Sequence, residues 1–342
     1  MKRKMALVQK ADVVAFEEFD IPALAPHDVL LKVSYSAVCG SDLHLYHDIH
    51  PFVKAPSTIG HELSGRVVET GSAVTKVQTG DLVAPEPILV CGECAYCQSG
   101  DYHMCKEVSY QYRKGQAGFT DYFVVDERWA HKVPQQVGDK AAAIIEPLSV
   151  AIHGARKAGD LLAKTVVVIG AGAIGTLAAH VCCLSGAAAV YVVDLNPKRL
   201  ALSARLSGAV PLNAKEQDVV EFVRGETGGL GCDVVIECTG AEVCAVQAVG
   251  MVRKLGTIVQ MGISSSNFKD YPYARLLSQE ITLRGSQGYC FDFERAIALL
   301  ASGRLDLSQY VTHEFPAAQI ADAFALAASP DTDSMKILLH YE

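Results

Sequence analysis

The sequence has no apolar run long enough to cross a bilayer as a helix. Its most apolar stretch, residues 165–181, is short and is interrupted by Gly170, Gly172 and Gly175, which fits a buried strand–turn–helix unit better than a membrane span. Nor does a continuous apolar segment follow the basic start Met1-Lys2-Arg3-Lys4, because Gln9, Lys10 and Asp12 intervene, so no secretory signal is expected. Positive charge is in deficit: 30 Lys and Arg stand against 38 Asp and Glu, a net charge of -8. That balance suggests no basic face for nucleic acid and chiefly favours solubility. Internal repeats, low-complexity segments and long linkers are missing. A dispersed, even set of cysteines is missing too. The 11 present are odd in number, four crowd between positions 91 and 105, and most others lie in apolar runs such as Val181-Cys182-Cys183 and Ile236-Glu237-Cys238. Secreted disulfide scaffolds look different, and the pattern predicts a reducing cytoplasm with one metal-binding cluster.

What is present suffices for two domains: 342 residues, half of them hydrophobic and a fifth charged. The first part is rich in strand patterns. Residues 29–35, 63–69, 81–84 and 119–125 alternate or run apolar and end near Gly, Asp or Pro. After about Lys140 the pattern changes. Residues 141–157 read as a helix that Pro147 should break or kink. Strand patterns at 165–169, 189–193, 233–236 and 257–261 then alternate with helices ending at Gly186 and Gly208 and one at 243–252. Such alternation predicts a doubly wound parallel sheet. Residues 293–302 are amphipathic, and 337–341 form a last strand.

Gly170-Ala171-Gly172-Ala173-Ile174-Gly175 matches G-x-G-x-x-G directly after a strand and at the opening of a helix, with Asp194 at the end of the next strand. This context predicts a dinucleotide whose pyrophosphate sits at the helix N-terminus. Gly170 makes the tight turn, Gly172 admits the pyrophosphate, and Gly175 lets helix and strand pack closely. Asp194 accepts from ribose hydroxyls and repels a 2′-phosphate, which favours NAD over NADP. Lys198 and Arg199 either sit over the adenine or attract a phosphate. The spacing Cys91-x-x-Cys94-x-x-Cys97-x7-Cys105 fits a closed tetrahedral zinc site, with Gly92 and Gly100 permitting the turns. Four thiolates leave no open position, so this metal is expected to be structural. Iron–sulfur is the chemical rival, although the trailing Cys-Pro of ferredoxin runs is missing.

Three quieter elements carry the donors of a catalytic zinc site: Cys39-Gly40-Ser41-Asp42 after a strand, Gly60-His61-Glu62 before another, and Glu146-Pro147 at a helix start. Taken in order with the four-cysteine lobe, Glu146-Pro-Leu-Ser149 and Gly170-Ala-Gly172, the chain resembles the zinc-containing medium-chain alcohol dehydrogenase family over nearly its whole length. Cys39-Gly-Ser-Asp-Leu-His44 and Ile145-Glu-Pro-Leu-Ser-Val-Ala-Ile-His153 are most similar to the polyol (sorbitol-type) branch. The resemblance implies an α/β fold. A GroES-like β-barrel catalytic domain, residues 1–150 and 287–342, would carry the metal lobe at about 88–108 and be interrupted by a Rossmann domain at 151–286. It further implies Cys39, His61 and Glu62 as ligands of a catalytic zinc, with Glu146 either a fourth ligand or the holder of the zinc-bound water. With a structural zinc on Cys91, Cys94, Cys97 and Cys105 there would be two zinc ions per subunit. Ser41 and His44 match the family's proton relay, and Asp42 would orient His61. The NAD contacts expected on this reading are Gly170, Gly172, Ala173, Ile174, Gly175, Asp194, Arg199, Thr239, Gly262 and Ile263. The segment Ser286 to Cys290 is expected to pair across a dimer, in a homodimer or homotetramer.

Two positions depart from the sorbitol pattern. Leu45 stands where a Tyr usually follows the relay His, with Tyr46 next, and Gly288-Tyr289 replaces an Arg-Tyr pair. Losing the guanidinium removes a multi-donor clamp for hydroxyls. Tyr46, Tyr110, Tyr112 and Tyr289 are candidates for a rebuilt pocket. His47 and His50 either read a carboxylate or phosphate or lie as exposed loop residues. The expected activity is NAD-dependent oxidation of a secondary hydroxyl on a polyol, an aldonate or a sugar-alcohol phosphate, giving a ketone, with no nucleic-acid or membrane partner. Leu45-Tyr46 resembles the threonine branch and keeps L-threonine or 2,3-butanediol dehydrogenase open. A catalytically silent NAD-binding regulatory protein is opposed by the intact Cys39, His61 and Glu62.

Overall fold

The computed structural model describes residues 2–50, 53–110, 115–264, 267–329 and 333–342. Two compact units emerge: Met1–Glu146 together with Phe293–Glu342, and Pro147–Asp292. No helix among the described residues is long and apolar enough to cross a membrane.

The first unit is mainly antiparallel sheet. Its spine is the strand Asp28–Ala37, which pairs antiparallel with Glu62–Thr70, Tyr122–Asp126 and Lys336–His340. The alternation in this strand buries Val29, Leu31 and Val33 against Val67, Phe123 and Val125, the environment that β-branched and aromatic side chains fit best. Lys336–His340 also runs parallel to Val311–Pro316, so the C-terminal segment rejoins the sheet that the N-terminal segment begins. A second cluster joins Val8, Leu45, Ile59, Phe119 and Phe324.

The second unit holds a six-stranded, wholly parallel sheet. Its order is Val210–Asn213, Ala189–Asp194, Thr165–Ile169, Cys232–Glu237, Val252–Gln260, Thr282–Gly285. Val166, Val167 and Val168 are fully buried, as a central parallel strand covered on both faces requires. The chain runs outward from Thr165–Ile169 on one side and resumes with Cys232–Glu237 on the other. That reversal creates a crevice at the carboxyl ends of the two strands.

Several local expectations change. Residues 141–157 do not make one kinked helix. Asp139–Ala142 ends, Ile145–Lys157 begins, and Pro147 falls in the first turn of the latter, where the missing N–H has no intrahelical partner to lose. Of residues 119–125 only Tyr122 onward is strand, and Phe119 fills the core instead. The edge strand is Thr282–Gly285, exposed at every residue, whereas Ser286 to Cys290 forms no strand.

In the first turn of the helix that follows Thr165–Ile169, Gly175 has no room for a side chain: a Cβ there would lie 1.8 Å from the Gly170 carbonyl oxygen. Gly175→Ala is therefore expected to lower stability by about 1–3 kcal/mol, measured by denaturant unfolding. An unchanged midpoint would contradict this packing.

Candidate active site

Cys39 occupies the N-cap of the short helix Gly40–Tyr46, just beyond Asp28–Ala37. Asp42 is buried and folds back. One of its oxygens accepts the Cys39 amide at 3.0 Å, and the other lies 3.3 Å from His61 Nδ1. A single carboxylate thus sets the thiol's backbone and the tilt of the imidazole. The Ser41 hydroxyl is 3.4 Å from Cys39 Sγ and 3.5 Å from His61 Nε2, so thiol and ring nitrogen converge. Burial opposes a charge on His61, yet Asp42 and Cys39 hold its pKa well above the usual value. Gly60 brings His61 in with φ at 102°, and a Cβ there would fall 2.6 Å from the Phe119 ring.

Cys39, His61 and Glu62 place one ligand atom each within 4.8 Å of one another. Thiolate, imidazole and carboxylate make a donor set that fits zinc. Glu62 is fully buried, however, and both its oxygens accept from Lys336 Nζ, at 2.6 and 2.5 Å. Strand register explains the encounter: Ala37 faces Glu62 on one side and Leu338 on the other. Lys336 was not anticipated. Its one signal was a charged residue opening the otherwise apolar strand Lys336–His340. Glu146, in the first turn of Ile145–Lys157, belongs to the same charge cluster. Burial pushes its carboxyl up to about 7, with Glu62 and Asp42 adding to the rise and His61 and Lys336 opposing it. Cys39, His61 and Glu62 could together hold a metal ion, with Glu62 already held by Lys336 and Glu146 in the same charge cluster.

Neighbouring residues sort clearly. His44 is exposed one turn along the helix from Ser41. Ser41, Asp42, Leu45, His50, Ile59, Gly60 and His61 line a recess beside the cluster, and His50 Nδ1 accepts the Val53 amide at 3.1 Å. His47 instead sits 2.6 Å from Asp12. Tyr46 does not line this recess. Its ring packs on Phe324 at 5.2 Å, filling the core beneath the helix. Tyr110 is half-buried in the short strand Ser109–Tyr110, Tyr289 is buried in the second unit, and Tyr112 lies outside the described residues.

The four-cysteine lobe is folded for a metal. Sulfur pairs Cys91–Cys105, Cys94–Cys97 and Cys91–Cys97 lie 3.4, 3.6 and 4.0 Å apart. A tetrahedron with Zn–S of about 2.3 Å has edges of roughly 3.8 Å. Backbone amides of Cys91 and Glu107 donate to Cys105 Sγ, and that of Cys94 to Cys91 Sγ. Backbone N–H groups of Lys106 and Cys97 bring the Cys94 thiol down to about 6, while desolvation and its sulfur neighbours push Cys97 up to about 12.

In the second unit, Gly172 is the N-cap of the helix Ala173–Leu184 and has no side-chain cap, and a Cβ at Gly172 would meet nothing within 4 Å. Open space before a first helical turn fits a dinucleotide pyrophosphate. Ala173 and Ile174, in that first turn, are half-buried. Asp194 accepts the amides of Ala171, Leu195 and Asn196 at 2.7, 2.7 and 2.9 Å. A carboxylate offers about four lone-pair positions, so acceptor capacity remains for a ribose. Arg199 lies in the first turn of the helix Pro197–Ser207, and its buried Nε has no hydrogen-bond partner among the described residues. Thr239 and Ile263 are exposed in the loops beyond Cys232–Glu237 and Val252–Gln260, and Gly262 packs on the backbone of Gly240.

Comparison with known proteins agrees with this geometry. Residues 25–135 match the family model of the alcohol dehydrogenase GroES-like domain, and residues 173–302 that of the zinc-binding dehydrogenases. The chain is 34% identical over 328 residues to a sorbitol dehydrogenase of Halalkalibacterium halodurans, covering 95% of each. It matches the crystal structure of an Escherichia coli oxidoreductase of unknown specificity with a TM-score of 0.95, at 29% identity over 100% of both chains. A zinc-binding dehydrogenase from Sinorhizobium meliloti 1021, bound to NADP, matches with a TM-score of 0.92 at 27% identity over 99% of each.

Removing the Lys336 ammonium leaves a buried carboxylate alone. Lys336→Met is expected to cost the metal-free protein about 3–5 kcal/mol, with zinc restoring part of the loss by taking over Glu62. Equal losses with and without zinc, in parallel unfolding curves, would contradict the pairing. Zinc affinity at this cluster should fall as pH drops below about 7, where Glu146 carries a proton that the metal must displace. Titration calorimetry on either side of that pH should show the fall, and a shallower one in Glu146→Gln; identical slopes in the two proteins would exclude Glu146 as the group responsible.

Proposed function

The chain belongs to the zinc-containing medium-chain alcohol dehydrogenases, in their polyol (sorbitol-type) branch, and from that premise we propose that it oxidises a secondary hydroxyl of a polyol or sugar acid to a ketone, passing the hydride to NAD. The observation that carries this reading is the convergence of Cys39, His61 and Glu62 within 4.8 Å. When bound, zinc supplies the Lewis acidity that lowers the pKa of a substrate hydroxyl, and NAD supplies the hydride acceptor. Cys39 and His61 hold the metal, and Asp42 keeps His61 Nδ1 engaged so that Nε2 faces the thiol. Ser41 takes the substrate's proton, and His44, three residues on along the same helix and exposed, delivers it to solvent.

Asp194 supports NAD, because its carboxylate at the end of Ala189–Asp194 would repel a 2′-phosphate. The exposed edge strand Thr282–Gly285 supports pairing with a second copy of the chain. No disulfide joins any of the described cysteines, which supports a reducing, cytoplasmic setting. One observation favours a second substrate reading. Leu45 lines the recess where the sorbitol pattern has Tyr, so a phenol hydroxyl that could bind a polyol is replaced by an apolar side chain, which suits a less hydroxylated substrate such as L-threonine or 2,3-butanediol.

The test is NAD and NADP reduction by zinc-loaded protein against polyols, aldonates, sugar-alcohol phosphates, L-threonine and 2,3-butanediol. Silence on every polyol and sugar acid would sink the leading reading, and turnover on threonine alone would install the second. Cys39→Ala is expected to abolish turnover while the fold and NADH binding persist.

A further inference from the structure

We propose that Glu237 is a positioning residue for the cofactor, clamping the loops after two adjacent strands into one wall of the dinucleotide crevice. This rests on the NAD reading above. Glu237 ends the strand Cys232–Glu237 beside the crevice and is fully buried. Its hydrogen-bond partners among the described residues are donors. Oε1 accepts the Thr239 amide at 2.7 Å and the Thr239 hydroxyl, Oε2 accepts the Gly240 amide at 2.9 Å, and Gln260 Nε2 reaches Oε2 at 2.5 Å. Thr239 and Gly240 belong to the loop after Cys232–Glu237. Gln260 ends the next strand, Val252–Gln260, and its amide also donates to the Gly262 carbonyl at 3.1 Å. One carboxylate therefore holds both loops.

The two loops touch backbone to backbone. A Cβ at Gly262 would lie 2.0 Å from the Gly240 nitrogen and 2.6 Å from Glu237 Oε2, and a Cβ at Gly240 would lie 2.3 Å from the Ile263 carbonyl. Neither loop can shift without the other. The paired wall is also registered against the phosphate turn. The Cys238 amide donates to Ile169 at 2.9 Å, and a Cβ at Gly170 would sit 3.0 Å from the Thr239 methyl. Glu237 thus fixes the spacing between the turn that receives the pyrophosphate and the exposed Thr239–Ile263 wall beyond it. The residue type follows from the donors. A carboxylate is an acceptor at both oxygens, whereas glutamine would aim an NH₂ at N–H groups.

In Glu237→Gln the Kd for NADH is expected to rise about tenfold, equivalent to ~1.4 kcal/mol. The KM for NAD should rise with it, while kcat at saturating NAD stays within about twofold of the parent. In cofactor-free protein, amide exchange at Thr239 and Gly240 should accelerate while residues 234–236 keep their protection. A lowered thermal midpoint with unchanged NADH affinity would overturn the proposal and leave the NAD reading standing. Failure of the parent chain to bind either NADH or NADPH would overturn both. Gln260→Leu removes one arm of the clamp, so a smaller shift in the same direction is expected; it decides the matter if Glu237→Gln prevents folding, and parent-like NADH affinity in it would then count against the clamp.

Discussion

An ammonium and a carboxylate, both withdrawn from water, tie the last strand of this chain to its metal cluster. Lys336 and Glu62 meet at 2.5 Å with 3% and 0% of their side chains exposed. Desolvating two such groups is expensive, and only short, well-directed hydrogen bonds between them offset it. The pair therefore admits little variation in strand register. Glu62 must stay opposite Ala37, Lys336 must stay one strand further on, and Cys39, just beyond Ala37, is carried into the same place. The positions of the thiol and the imidazole follow from a sheet whose register a buried charge pair enforces.

Other carboxylates organise the molecule in the same manner. Asp42 accepts the Cys39 amide and holds His61. Glu86, nearly fully buried, accepts from Tyr102 at 2.8 Å and contacts His131 Nε2 at 2.9 Å, linking the four-cysteine lobe to the strand Ala130–Lys132. Asp292, fully buried, receives Arg156 and His153 in the second unit. Buried acids surrounded by donors rigidify a structure when every lone pair is used. The acidic surplus of the sequence is thus partly architectural, a role that net charge alone does not reveal.

The parts of the molecule most legible in sequence were those whose chemistry is local. Four thiols within one short segment, glycines directly after an apolar strand, and an acid at the end of the next strand each announce themselves, because the residues that cooperate are near neighbours. The parallel strands were readable since burial on both faces makes them continuous β-branched runs. What escaped depended on distant partners. Lys336 looked like the polar start of a strand until register set it beside Glu62. Tyr46 looked available for substrate because sequence does not say which face of a seven-residue helix Phe324 will cover. The strand Thr282–Gly285 is weakly apolar and wholly exposed, so no periodicity marked it. Pro147 looked disruptive because the boundary between two short helices is set by packing more than by local pattern.

The discontinuous first unit has a consequence for biosynthesis. Lys336–His340 lies between Asp28–Ala37 and Val311–Pro316 in the finished sheet. During translation the whole of Pro147–Asp292, a unit with its own parallel sheet, emerges before that strand does. The Rossmann unit can be complete while the barrel is still open along one edge and Glu62 still lacks its ammonium. The thiol, the imidazole and the carboxylate precede that unit in the chain, yet the ammonium that holds the carboxylate follows it. The cluster of Cys39, His61 and Glu62 therefore depends on a distant strand for its final geometry, whereas the four-cysteine lobe is contained within Cys91 to Cys105 and draws its four thiols from one short segment.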